Sequence, residues 1–74
     1  MATAQKIDAG NFDNGVSYDV SGFLGALRGA VATGGRVEIV GTPRIGVAGG
    51  RYNPGMIEIR EMARRSGAVI AWTS

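Results

Sequence analysis

Thirteen of the 74 residues are glycine, and this limits the folds open to the chain more than any motif it contains. Each glycine loses more backbone freedom on folding than any other residue. A chain of this length also buries only roughly 60–65% of the surface its unfolded form exposes, so area gained minus chain entropy comes out near zero. With no cysteine, no histidine and only six Asp and Glu residues, neither a disulfide nor a structural zinc is expected to offset that shortfall. What remains is tight packing of one domain over residues 1–74, helped by self-association.

The rest of the composition belongs to a chain that folds: 45% hydrophobic and 19% charged residues lie well away from disorder. No apolar run approaches membrane-spanning length, and Met1 to Lys6 lacks the apolar core of a signal peptide, so the expected compartment is the cytoplasm, with no membrane partner.

Local signals order the elements. Asp13-Asn14-Gly15 between Phe12 and Tyr18 predicts a short hairpin, because Asn-Gly accepts the positive φ angles of a type I′ turn. Phe23, Leu24, Leu27, Ala30 and Val31 form one stripe of a helix over about 21–33, capped by Asp19 or Ser21 and ended by Gly34-Gly35. Gly22, Gly25 and Gly29 cost this helix about 1 kcal/mol each relative to alanine. Gly25 and Gly29, one turn apart, predict a close backbone approach, either to the chain's own sheet or to a second copy. Arg36 to Val40 reads as a strand stopped by Gly41-Thr42-Pro43. Asn53 as N-cap and Pro54 at the first position start a second helix over 54–66, with Met56, Ile59, Met62 and Ala63 on one face, an expected Glu61–Arg65 pair, and Gly67 ending it. Met56 to Arg60 also alternates like a strand, which stays open here. Ala68 to Trp72 is a continuous apolar strand, buried on both faces or pairing at an interface. The expected class is α+β, or small α/β, in the order ββαβαβ, with both helices packed on a small sheet.

Catalysis is not expected. Without His or Cys the usual bases and nucleophiles are missing, and Glu58 with Glu61 reads as a salt-linked helix face. No cofactor and no metal is implied. The charge is uneven: residues 1–19 sum to −2 and residues 20–74 to +4, and every basic residue after Lys6 is arginine. Arginine suits planar, multi-donor contact with phosphate or carboxylate. The segment from Gly41 to Gly55 holds five glycines, two prolines and two arginines, and it leads from a strand end into a helix N-terminus, where open α/β sheets place anions. Arg44, Arg51, Arg60 and Arg64 are therefore the candidate phosphate contacts. Tyr52 is the candidate stacking group, and Gly49, Gly50 and Gly55 would admit close approach to the backbone.

Gly35 to Gly41 (Gly-Arg-Val-Glu-Ile-Val-Gly), followed by Gly50-Arg51-Tyr52-Asn53-Pro54-Gly55, locally resembles the strand and arm of the HU/IHF family of DNA-bending proteins. The resemblance implies a β-arm over 44–60 with Pro54 as a minor-groove wedge. It departs from that family's pattern where Tyr52 separates Arg51 from Asn53, where the arm is short of charge, and where one Gly-rich helix replaces the amino-terminal helical pair.

The expected function is thus a small non-enzymatic binding module for phosphate-bearing partners, nucleic acid first. The alternative is a protein–protein module, such as an accessory, inhibitor or assembly subunit of the kind a phage or mobile element encodes. A third reading is an oligomeric small-nucleotide binder. Self-association would use Gly25 and Gly29, or Val69, Ile70 and Trp72.

Overall fold

The structure, a computed structural model, describes residues 4–44 and 53–73. Strand β1 (Gln5–Asp8) leads through a single 3-10 turn (Ala9–Phe12) to helix α1 (Val20–Val31), strand β2 (Arg36–Val40), helix α2 (Pro54–Ser66) and strand β3 (Val69–Thr73). The strands pair in the order β1-β2-β3, all parallel. Two successive βαβ steps therefore build a three-stranded sheet, and both helices lie on the same face of it. The buried side chains of α1 (Phe23, Leu27, Ala30, Val31) and α2 (Met56, Ile59, Ala63) form one cluster with Val37 and Ile39 of β2.

The expected class holds at that level, and one element differs. Two strands, the arms of a hairpin about Asn14-Gly15, were expected before α1; neither forms, and the strand that precedes α1, β1, lies earlier in the chain. The Asn14-Gly15 turn does form: Gly15 has φ +88°, and the side chains of Asp13 and Asn14 accept from the N–H groups of Gly15, Val16 and Ser17. Only one antiparallel bridge, Asp13 with Tyr18, follows from it. A tight turn without flanking alternation gives no ladder for the strands to extend. The residues around it serve packing instead. Phe12 and Tyr18 both meet the Phe23 ring edge-on, at centroid distances of 5.7 and 6.1 Å, and the Tyr18 hydroxyl donates to the Ala9 carbonyl at 2.7 Å. Burial, followed by the negative field of Asp13 and Asp8, pushes the Tyr18 phenol upward, so it remains a donor.

Each helix starts and stops where its caps dictate. The Asp19 carboxylate accepts from the Gly22 N–H and the Asn53 side-chain Oδ1 from the Gly55 N–H, each satisfying a donor that the first turn leaves over. Gly67 closes α2 in the left-handed region at φ +80°. Because Pro54 is the first residue of α2, residues 54–60 are neither a strand nor part of a β-arm, and Pro54, though exposed, opens a helix rather than tipping an arm. The amino-terminal edge of the sheet is tightly closed. The Ser66 hydroxyl donates to the Val31 carbonyl at 2.8 Å, and a Cβ on Gly34 would stand 2.8 Å from the Ser66 carbonyl oxygen.

Register assigns the faces. Gln5, Ile7, Val37, Ile39, Ile70 and Trp72 share the helix side. Lys6, Asp8, Arg36, Glu38, Val40, Val69, Ala71 and Thr73 share the other, which no described element covers. Parallel sheets are nearly always covered on both faces. Here the charges on β1 and β2, with Arg36 paired to Glu38 at 3.2 Å, keep that face wetted, whereas β3 contributes only Val69, Ala71 and Thr73.

Candidate functional site: the α2–β3 flank

Arg44, expected at phosphate, is held elsewhere. Its Nε donates to Asp13 Oδ2 at 2.7 Å and its guanidinium NH2 group to Oδ1 at 2.6 Å. This two-pronged pair joins the stretch after β2 to the turn after β1. The Arg44 guanidinium, with the Gly15 N–H, holds the Asp13 carboxyl below the usual carboxylate range, and Asp13 in turn raises the Arg44 pKa. Topology explains why the two segments meet. Ligand crevices in open α/β sheets open where the strand order reverses, and in the order β1-β2-β3 nothing reverses. The two segments leave neighbouring strands on the same side and are tied rather than parted.

The α2 start is also occupied. The N–H groups of Gly55 and Met56, at the helix start expected to receive an anion, donate to Asn53 Oδ1 and to the Asn53 carbonyl, both at 2.8 Å. A Cβ on Gly55 would lie 2.7 Å from Leu24 Cδ1, so this glycine lets α2 approach α1. Gly49, Gly50, Arg51 and Tyr52 lie outside the described residues.

A hollow of about 420 Å³ beside the β1–α1 turn is lined by Asn11, Phe12, Asp13, Asn14, Ser17 and Asp19. Its carboxylates are already engaged, Asp13 by Arg44 and Asp19 by the cap of α1. Among the described residues no three His, Cys, Asp or Glu side chains gather as a metal site would require. Glu58 pairs with Arg28 across the helices at 3.3 Å, and Glu61 with Arg64 at 2.7 Å. The expected Glu61–Arg65 pair is therefore replaced by the i, i+3 pair of Glu61 with Arg64, the other spacing that sets two helical side chains beside each other.

The expected interface residues divide. Gly25 and Gly29 face solvent on α1, with no atom within 4 Å of a Cβ built on either. Close packing on the chain's own sheet is therefore not why they are glycine: the buried stripe of α1 runs along the opposite side. Val69, Ile70 and Trp72 lie on an edge strand rather than one buried on both faces. Val69 is 55% exposed, and Ile70 and Trp72 are half-buried.

Between β3 and α2 runs a groove of about 390 Å³ lined by Arg60, Ala63, Arg64, Ala68, Ile70 and Trp72. Arg60 and Arg64, two of the expected phosphate contacts, thus come together with two of the expected interface residues. Main-chain direction completes the picture. The Val69 N–H donates to the Gly35 carbonyl, and the Thr73 carbonyl accepts from the Gly41 N–H, so these two residues face β2. Main-chain groups alternate sides along a strand, and those of Ile70 and Trp72 therefore point to the outer edge. No described strand pairs there. One signal for this site was present in the sequence: 69–73 is the only strand of the three without a charged residue.

No protein-family model, curated protein or solved structure matches the chain. No helix among the described residues is long and apolar enough to cross a membrane.

Proposed function

We propose that the chain is a non-catalytic protein-binding module that takes an extended segment of a partner along the outer edge of β3. One observation carries this reading. β3 is an edge strand of five residues with neither charge nor proline, and such edges are templates for another strand unless something blunts them. Strand addition of this kind draws affinity from main-chain hydrogen bonds and selectivity from alternate side-chain pockets. The α2–β3 groove supplies such a pocket beside Ile70 and Trp72. The nucleic-acid reading has lost support by comparison, because the Arg44 guanidinium and the first N–H groups of α2 already have partners within the fold. It retains Arg60 and Arg64, although Arg64 is itself paired with Glu61, and Arg51 and Tyr52 lie outside the described residues.

Immobilised extended peptides and a single-stranded DNA oligonucleotide separate the two. The parent chain should be retained on peptides, and Ala71→Lys, a charge placed on the edge strand, should abolish retention. Retention on DNA alone, falling steeply with salt and indifferent to Ala71→Lys, would return the nucleic-acid reading and remove this one.

A further inference from the structure

Resting on the β3-edge reading, we infer that the partner segment is acidic, with glutamates at alternate positions on the side facing α2. The inference comes from charge and spacing at the groove. Its rim carries Arg60 and Arg64, and its floor carries Ala63, Ala68, Ile70 and Trp72. Arg60 and Arg64 are one helical turn apart, about 6 Å along the axis at the standard rise. Alternate residues of an extended strand are about 6.6 Å apart. A strand laid beside β3 therefore offers two side chains in step with the two guanidinium groups.

Those side chains must cross the apolar floor before they reach the rim. Glutamate has the right build, with methylenes to lie against Ile70 and Trp72 and a carboxylate to meet a guanidinium fork. A lysine at the same position would set like charges together. The existing Arg64–Glu61 pair is no obstacle, because both side chains are largely exposed, at 78% and 52%, and such surface pairs exchange at little cost. On the opposite side the segment would meet Val69, Ala71 and Thr73, which suits β-branched residues. The pattern sought is alternating glutamate and valine.

A second copy of this chain fits less well. Two-fold pairing of β3 with itself would continue the sheet and set α2 beside its symmetry mate, bringing the Arg60 and Arg64 rims toward each other. The cost of like charges at close range then falls on the contact.

The test uses two fluorescent probe peptides, one alternating glutamate with valine and one alternating lysine with valine. Their anisotropy is followed against the full chain. The glutamate peptide should bind up to about tenfold more tightly than the lysine peptide, from two exposed ion pairs gained in place of two like-charge contacts, and the preference should shrink as salt is added. The double variant Arg60→Glu/Arg64→Glu should reverse the preference, and Arg60→Lys/Arg64→Lys should keep its sign. Thermal unfolding of each variant near the parent's midpoint would show that the fold survives.

Equal binding of both peptides, with loss of both in Ala71→Lys, would overturn the acidic pattern and leave the edge reading standing. Binding of neither peptide would remove the edge reading itself. Sedimentation of the chain alone as a dimer that Ala71→Lys dissociates would assign the edge to a second copy and overturn the acidic partner.

Discussion

β1 and β3 are both edge strands of one parallel sheet, and they are built differently. β1 has four residues with Lys6 and Asp8 on the uncovered face, and it leads into a turn that folds back over the sheet end. Gln5 on its other face donates to the Ala30 carbonyl and to Thr33 at the end of α1. The stretch after it buries Ala9 and packs Phe12 and Tyr18 against Phe23. β3 has five residues, no charge, and a groove in place of a packed flank. Short, charged edges resist pairing with other chains, and longer uncharged ones invite it. The molecule blunts one edge and leaves the other available, which is the physical basis for assigning the working surface to β3.

The comparison fails first if the two flanks prove equally anchored. Phe23 is fully buried under the β1 side, and Phe23→Ala should cost about 3–5 kcal/mol. Trp72 is only half-buried, so Trp72→Ala should cost less than half of that despite the larger ring. Denaturant unfolding of both variants decides it, and equal losses would mean that β3 belongs to the core rather than to an interface.

A smaller effect of opposite sign is expected on α1, which lies toward β1. Gly25→Ala and Gly29→Ala fill open space on a solvent-facing helix surface, and each should stabilise the chain by up to about 1 kcal/mol. If either substitution instead dissolves an oligomer seen by light scattering, the glycine face competes with β3 as the contact surface.

The smallest effect concerns the tie at the carboxyl end of the sheet. With the Asp13 carboxyl lowered by Arg44, its stabilising contribution is present above the ordinary carboxylate range. It is lost as pH falls through the lowered folded-state value. Asp13→Asn should therefore melt slightly below the parent at neutral pH and together with it in strong acid. A gap that persisted in acid would show that the ion pair is not what Asp13 contributes.

Both helices and two of the three strands were legible in the sequence because their signals are local. Asp19, Asn53-Pro54 and Gly67 act within a single turn of chain, and the apolar stripes of α1 and α2 repeat at the helical period. β1 was not legible, because Gln5 to Asp8 alternates weakly and becomes a strand only through parallel pairing with β2 across the whole of α1. The candidate site was legible in pieces. Arg60, Arg64, Ile70 and Trp72 were each singled out, but as two separate surfaces, since nothing local says that α2 lays its arginines along the outer side of β3. Arg44 was read as a ligand contact because its partner Asp13 lies 31 residues away, beyond the reach of any spacing rule.

By itself, then, the sequence determined where the chain turns, which faces of its helices are apolar, and that β3 carries no charge. Tertiary structure alone decided that β3 lies at an edge, that Arg44 closes on Asp13, and that Gly25 and Gly29 point to water. The division follows from range: caps and periodicity act through neighbouring bonds, whereas strand order and ion pairing depend on which distant segments the core draws together.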